Sequence, residues 1–301
     1  MSHPTSSPAP ATAAQSTRIP APTALAASLE DAMHAKATAP LDRMFLLALS
    51  GGGFIALGFI AMITSQQGMA DWPVGLAKIL GGTVFAIGLG LVVISGSDLF
   101  TGTTLTSMPW LSKRITTARM LAHWGISLLG NLIGAVTVAL LVMLAGTHTT
   151  NGSAWGLVVL NLTQGKLSHD WHQAFVLGVL ANLAVCLAVW TATAGTTVTD
   201  KLLAVTGPLV LFVSTGFEHS VANMFLLPMG LLVKYGAGDG FWAGEAVRAA
   251  GVDRGDFAAI TVGAVVWDNL IPVILGNIVG GAVLVGAYFW TIYRRREGSA
   301  A

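Results

Sequence analysis

An apolar stretch of membrane length, Thr206 to Gly230, constrains the fold most, because polar residues interrupt it in its middle. The interrupting residues are Ser214, Thr215, Gly216, Glu218, His219, Ser220 and Asn223. In hydrocarbon each unsatisfied backbone group costs several kcal/mol, so irregular backbone persists there only when it is buried in protein or lines a water-filled cavity. Ionisable side chains inside a span mark ion or substrate pathways. The stretch therefore predicts a broken membrane helix at a functional site, rather than a soluble loop between two short helices.

The composition indicates an integral membrane protein, since 54% of the residues are hydrophobic and only 10% are charged, against about 25% charged in soluble domains. Six apolar segments have about the length that ~30 Å of hydrocarbon requires. They are Met44 to Thr64, Ala77 to Trp110, Ala118 to Ala145, Gln173 to Thr193, Leu202 to Val233 and Ile260 to Tyr293. The second and fifth are overlong, and the second is broken at Ser95 to Gly102 much as the fifth is broken around His219.

Three regions follow from this pattern: a flexible cytoplasmic tail (1–40), a six-span channel domain (41–296) and a short C-terminal tail (297–301). Within the first tail, Ala24 to Lys36 has some helical character. With the N-terminus inside, ten of the 15 lysines and arginines lie on the cytoplasmic side. The positive-inside rule therefore predicts that both termini are cytoplasmic. The net charge of +1 gives no indication of a nucleic-acid partner.

The second half of the chain repeats the first. The sequence LGNLIG at Leu129 to Gly134 recurs as LGNIVG at Leu275 to Gly280, and Gly96-Ser97-Asp98 aligns with Gly216-Phe217-Glu218. Each half holds three spans, so the halves must have opposite topology. Inverted repeats with helices broken at corresponding positions point to a permeation site near the midplane.

Three ionisable residues of the two breaks are candidates for chemistry. His219 could hydrogen-bond or protonate a weak-acid anion, because histidine titrates nearest to physiological pH; it could equally satisfy backbone groups freed by the break. Asp98 and Glu218 stand at matching points, and we expect each to cap the half-helix that follows.

The loop residues Leu99, Phe100 and Thr101 would place two bulky apolar side chains and a hydroxyl at membrane depth. Apolar constrictions gate by dewetting, and a hydroxyl can replace part of an ion's hydration. Spacing alone favours lipid-facing or core packing for the helical residues near the breaks, which are Phe85, Leu89 and Phe212.

Lys166, before the fourth span, could concentrate anions at a pore mouth or be an ordinary solvated loop lysine. The nearby His169, Asp170 and His172 do not have a zinc-ligand spacing. We expect neither a metal nor another cofactor, since the histidines also lack the matched depth for haem ligation. A catalytic nucleophile with its base is likewise missing from the sequence pattern, which argues against an enzyme.

Two faces with the pattern small-xxx-small predict close helix packing, with an asparagine beside each able to bond across helices. They consist of Gly130 and Gly134 with Asn131, and of Gly276 and Gly280 with Asn277.

Three blocks of the sequence resemble the signatures of the formate/nitrite transporter family. They are SGSDLFTGTT at Ser95 to Thr104, GFEHSVANMF at Gly216 to Phe225, and DNLIPVILGNIVGG at Asp268 to Gly281. The resemblance runs from about Met44 to Tyr293 and implies an all-α membrane protein, a homopentamer of aquaporin-like six-helix bundles with inverted three-helix repeats and broken second and fifth helices. Phe217 and the run Asn223-Met224-Phe225 resemble the formate-channel branch. Asp98 departs from the family, in which glutamate is common there.

The resemblance also implies roles for individual residues. His219 matches the central pore histidine, and Thr101 matches the hydroxyl residue of the loop beside it. The outer slit would consist of Phe85 and Phe212, and the inner slit of Leu89, Leu99 and Phe100. Lys166 matches a lysine of the vestibule, and the supporting residues would be Asn182, Asn277, Asp98, Glu218 and Asn223.

The expected function is a channel or proton-coupled transporter for formate or a similar small monovalent anion in the bacterial inner membrane. Its partners would be the anion, protons, membrane lipid and other copies of the chain, without nucleic acid. A nitrite or hydrosulfide channel of the same fold and a neutral-solute pore remain open alternatives.

Overall fold

Residues 19–295 are described by the computed structural model, and they contain helices, turns and no strands. Six helices are long and apolar enough to cross a membrane: Leu41–Gln66, Val74–Ser95, Thr117–Leu144, Trp171–Ala194, Val198–Thr215 and Ala264–Tyr293. The prediction of an all-α protein with six spans is confirmed.

The helices of the first half are α1 Pro22–Thr38, α2 Leu41–Gln66, α3 Val74–Ser95, α4 Phe100–Thr103, α5 Ser107–Leu111 and α6 Thr117–Leu144. Those of the second half are α7 Ala154–Leu167, α8 Trp171–Ala194, α9 Val198–Thr215, α10 Ser220–Gly236, α11 Asp239–Trp242, α12 Glu245–Ala250, α13 Ile271–Ile278 and α14 Tyr288–Tyr293. Short 3-10 turns lie at Thr104–Thr106, Thr147–Thr149 and Arg254–Phe257, and π-helical turns at Ala264–Leu270 and Val279–Ala287 extend α13 into the sixth span.

The second and fifth spans are broken, as predicted. Helix α3 ends at Ser95 and the chain becomes helical again at Phe100, while α9 ends at Thr215 and α10 begins at Ser220. Each first segment ends on a glycine in the left-handed region, Gly96 at φ 72° and Gly216 at φ 77°. Glycine adopts this conformation without steric cost. Each break therefore consists of four residues, 96–99 and 216–219.

The inverted repeat is visible in the helix packing. Helix α6 packs against α2 in the first half, as α13 packs against α8 in the second. A Cβ added at Gly134 would collide with the Leu49 carbonyl, and one added at Gly280 would collide with the Val179 carbonyl. Both small-residue faces thus bring two backbones into contact, which fixes each asparagine beside a break.

Residues 22–38 of the predicted tail form helix α1, one face of which is buried at Leu25, Leu29 and Met33. The fully buried Glu30 carboxylate receives Arg114 Nη1 at 3.2 Å and Arg294 Nε at 2.9 Å. These ion pairs join α1 to the segment after α5 and to the residue that follows α14. Residues 1–18 and 296–301 lie outside the described residues, so the flexibility expected there stays a prediction.

Candidate permeation site

Two asparagines hold the backbone of the two breaks in the same way. Asn131 Oδ1 accepts from Phe100 N at 2.8 Å, and Asn277 Oδ1 accepts from Ser220 N at 2.9 Å. The Nδ2 of Asn131 donates to the carbonyls of Ala48 and Asp98, and that of Asn277 donates to the carbonyls of Gly178 and Glu218. Each amide thus satisfies a carbonyl inside its break and the first N–H of the helix that follows, which hydrocarbon could not do.

The prediction that Asp98 and Glu218 cap the following half-helices is wrong. The first N–H of α4 is bonded by Asn131, and the first N–H of α10 by Asn277. His219 also caps α10, because its Nδ1 accepts from Ala222 N at 3.1 Å. Both carboxylates pair with lysines instead.

Glu218 is fully buried and forms the centre of a polar cluster. Its carboxylate receives Lys166 Nζ at 2.9 Å, Asn223 Nδ2 at 2.6 Å and Asn269 Nδ2 at 3.2 Å. Lys166 lies in the last turn of α7 rather than in a loop, and its side chain is 17% exposed against 0% for Glu218. Lys166 is therefore the partner in this ion pair that meets water.

Asp98 forms a second cluster, with its carboxylate 2.6 Å from Lys36 Nζ and 3.3 Å from His123 Nε2. Lys36 also donates to the carbonyls of Gly96 and Ser97 at 3.0 and 2.9 Å. Sequence reasoning missed Lys36, which lies in the presumed tail, and considered His123 only as a haem ligand. The repeat could have revealed Lys36. The carbonyls of Leu47 and Leu177 accept from Asp98 N and Glu218 N, so these two leucines are equivalent in the repeat. Lys36 and Lys166 have the same separation in sequence as these leucines.

His219 meets Thr101 between the two breaks. The His219 Nε2 to Thr101 Oγ1 distance is 3.0 Å, and both side chains are buried. Because Nδ1 accepts from Ala222 N, a neutral ring carries its proton on Nε2 and donates it to the Thr101 oxygen, leaving the Thr101 hydroxyl hydrogen for another acceptor. Asn182 Nδ2 fixes this loop by donating to the carbonyls of Thr101 at 3.1 Å and Asn277 at 2.6 Å.

A cavity lies on either side of this pair. The α7-side vestibule, about 290 Å³, is lined among others by Phe85, Phe212, His219, Lys166 and Glu218. The rings of Phe85 and Phe212 meet edge to face with centroids 5.7 Å apart.

The α1-side vestibule, about 260 Å³, is lined among others by Leu89, Leu99, Ser97 and Lys36. Phe100 is buried and lines neither cavity. The structure thus assembles Phe85, Phe212 and Lys166 with His219, and places Leu89 and Leu99 on the other side.

Two histidines that the sequence analysis rejected as zinc ligands have other neighbours. His169 Nε2 lies 3.8 Å from Glu218 Oε1, and the His172 ring contacts Trp171. Within residues 19–295, no three His, Cys, Asp or Glu side chains are grouped so as to hold a metal ion.

An all-helical membrane bundle with inverted halves, two broken helices and a polar pair between two vestibules is the architecture of a channel or transporter. A sequence model of the family described as Formate/nitrite transporter matches residues 23–291. The chain belongs to the formate/nitrite transporter family, and it is a multi-pass membrane transport protein rather than an enzyme.

Relatives agree with this assignment. The chain is 42% identical over 276 residues to "Formate channel FocA" of Escherichia coli (strain K12), covering 92% of this chain and 95% of the relative. It is 35% identical to "Probable formate transporter" of Methanothermobacter thermautotrophicus over 292 residues, covering 91% and 96%. A solved structure described as "Pentameric formate channel with formate bound" superposes with a TM-score of 0.77 at 37% identity, covering 84% of this chain and 97% of that one.

Proposed function

We propose that this protein is a channel or proton-coupled transporter for formate, with one pore in each protomer of a homopentamer. The names of its relatives support the substrate, and the solved pentamer supports the assembly. We place it in the bacterial inner membrane with both termini cytoplasmic, an orientation that the distribution of lysine and arginine supports. Exposed apolar side chains such as Leu144 and Leu203 would face lipid.

The observation that carries the proposal is the His219–Thr101 pair between two vestibules. Formate is almost wholly ionised at neutral pH, and moving such an ion into a dry slit costs on the order of 20 kcal/mol in the idealised limit. The pair lowers that cost because the hydroxyl hydrogen that Thr101 keeps free can be donated to the anion, and a hydrogen bond to a charged group replaces part of the lost hydration. Proton transfer from or through His219 would lower it further by making the permeant nearly neutral.

The remaining residues attract the anion, remove its water, narrow the path or hold the two breaks in place. The Lys166 ammonium attracts the anion into the α7-side vestibule, and Phe85 and Phe212 strip water from it. Leu89 and Leu99, together with the buried Phe100, form the apolar constriction on the other side. The buried network of Asp98, Glu218, Asn182, Asn223 and Asn277 holds the two breaks in register.

The experiment is stopped-flow formate uptake into proteoliposomes at two pH values, with nitrite as competitor. Wild type is compared with His219→Asn, because asparagine can still cap α10 but cannot titrate. Saturable formate flux that exceeds nitrite flux, with an altered pH dependence in the variant, is the expected result.

Other outcomes would point elsewhere. Flux dominated by nitrite would assign the protein to a nitrite channel. Flux that is indifferent to pH and to Lys166→Ala would indicate a neutral-solute pore. An unchanged flux and pH dependence in His219→Phe would refute the role of the histidine.

A further inference from the structure

The α7-side vestibule is lined by three charged side chains, which are Lys78, Lys166 and Glu218. Two histidines, His169 and His219, also line it. Lys166 Nζ lies 2.9 Å from Glu218 Oε1, so this ammonium and this carboxylate offset each other. The formal charge that remains in the vestibule is therefore that of Lys78.

The ion pair of Lys166 with Glu218 attracts an anion only at short range. The potential of a single charge falls with the first power of distance, whereas the potentials of two opposite charges 2.9 Å apart cancel more completely as the distance grows. His169 lies 3.8 Å from the same carboxylate, and its neutral ring adds no charge. An anion that is still in solution thus responds more strongly to Lys78 than to Lys166.

Lys78 has no partner that would offset its charge. Within residues 19–295, no carboxylate forms an ion pair with its ammonium. Asp71 precedes α3 but does not line the vestibule, and Glu218 is occupied by Lys166. Lys78 is an exposed residue at the wall of the cavity, so its ammonium acts on the water at the mouth of the vestibule.

Helix electrostatics explains the position of Lys166 but not that of Lys78. Cations are favoured at the C-terminal end of a helix, and Lys166 lies in the last turn of α7. Lys78 is the fifth residue of α3, close to the end at which the helix dipole disfavours a cation. Gln66 Nε2 at the end of α2 donates to the Ala77 carbonyl at 2.9 Å, which fixes the backbone beside Lys78.

The α1-side vestibule has the same arrangement. It is lined by Lys36 and Lys201, and Lys36 is paired with Asp98 at 2.6 Å. No ion pair of Lys201 is present in the part of the chain that the structure describes. Lys78 lies 18 residues before the glycine that opens its break, and Lys201 lies 15 residues before the other, so the two positions differ by about one helical turn. Each vestibule therefore combines one lysine that is paired with a carboxylate and one that is not.

We propose that Lys78 supplies the net positive charge of the α7-side vestibule and so draws a small monovalent anion into it from solution. A charged cleft with low-dielectric walls raises the local concentration of the opposite charge. Lys166 then meets the anion at short range, beside the rings of Phe85 and Phe212. This inference rests on the proposed function for the identity of the anion, and it separates attraction from solution from contact inside the vestibule.

The potential of the vestibule can be measured without transport, at a thiol placed in its wall. Gly165→Cys suits this purpose, because Gly165 lines the vestibule and a Cβ there meets no atom within 4 Å. The full-length protein in detergent is treated with an anionic reagent, 2-sulfonatoethyl methanethiosulfonate, or with its cationic trimethylammonium analogue. The one native cysteine, Cys186, is buried and keeps the background low. The ratio of the anionic to the cationic reaction rate reports the local potential.

Lys78→Gln in the Gly165→Cys protein should lower this ratio about fivefold at about 0.01 M salt, and by less than about twofold at about 1 M, because salt screens the charge. Arg248→Gln removes an exposed charge from α12, which packs against α7 without lining the vestibule. Lys201→Gln removes the corresponding lysine of the other vestibule. Both controls should leave the ratio unchanged. An unchanged ratio in Lys78→Gln, or an equal fall in either control, would overturn the proposal.

Formate uptake from the α7 side gives the functional readout. Lys78→Gln should raise the formate concentration at half-maximal flux about fivefold and leave the maximal flux within about twofold, because the substitution acts on entry rather than on the slit. Arg248→Gln should change neither quantity. A fall in maximal flux without a change in the half-saturating concentration would contradict a role in attraction.

Charge can be restored chemically at the same position. Lys78→Cys should behave as Lys78→Gln does, and 2-aminoethyl methanethiosulfonate, which adds an ammonium, should return the half-saturating concentration to the wild-type value. The sulfonate reagent should raise that concentration further, and equal effects of the two reagents would refute an electrostatic role. Wild type without any formate flux would refute the proposed function, while the rate ratio in Gly165→Cys would still decide the role of Lys78.

Discussion

The two helix breaks share one backbone and differ in one decisive side chain. Both begin with a left-handed glycine, Gly96 or Gly216, and both are held by an asparagine amide from another helix. The fourth residue is Leu99 in the first break and His219 in the second. The first therefore presents an apolar side chain and the second a hydrogen-bonding ring. The two halves therefore share the backbone of the break, and only the second half carries a hydrogen-bonding ring at its fourth position.

The largest expected effect comes from removing the shared support. Asn131→Leu and Asn277→Leu each lose three buried hydrogen bonds. Unmade buried hydrogen bonds cost about 1–3 kcal/mol each, so we expect each variant to lose about 3 kcal/mol or more of unfolding free energy. Thermal unfolding in detergent measures this, with the exposed Asn161→Leu as control. Loss of stability in only one of the two would break the equivalence of the halves.

A single substitution at the fourth position would make the two breaks alike. His219→Leu copies Leu99 and removes the ring that donates to Thr101. Hydrogen bonds to charged groups are worth about 1.5–3 kcal/mol, so formate flux should fall about a hundredfold. The lost cap should cost only about 1 kcal/mol of stability. Flux and unfolding are measured on the same preparation, and near-normal flux would show that the asymmetry of the breaks has no part in transport.

A smaller effect should follow from Thr101→Val, which keeps the side-chain shape and removes the hydroxyl that pairs with His219. We expect formate flux to fall about tenfold, because one hydrogen-bond donor is lost from a buried site. Thr101→Ser keeps the hydroxyl and serves as control. Equal flux in the valine and serine variants would remove Thr101 from the site.

The smallest effect concerns the glycines that open each break. Gly96→Ala and Gly216→Ala would meet no atom within 4 Å of the new Cβ, so only the left-handed backbone opposes them. That conformation should cost each variant about 1 kcal/mol of unfolding free energy. Gly75→Ala, also in open space but at the start of α3, should be neutral or slightly stabilising. Clearly unequal losses at Gly96 and Gly216 would show that the two breaks are strained differently.

The sequence by itself determined the membrane class, the six spans, the repeat and the positions of both breaks. Hydropathy and backbone hydrogen bonding in lipid admit few structures for such a pattern, and an isolated polar run in an apolar span is a strong local signal. The assignment of His219, Phe85, Phe212, Lys166 and Thr101 to one site came from family resemblance.

Only the tertiary structure decided which groups meet each other. It assigned the capping role to Asn131, Asn277 and His219 rather than to the carboxylates, because the oxygen or nitrogen atoms of these three side chains lie within hydrogen-bond distance of the free N–H groups. It also brought Lys36 and His123 to Asp98. Those contacts join residues far apart in sequence, and their geometry depends on how closely small residues let the helices approach, which no local pattern of residues specifies.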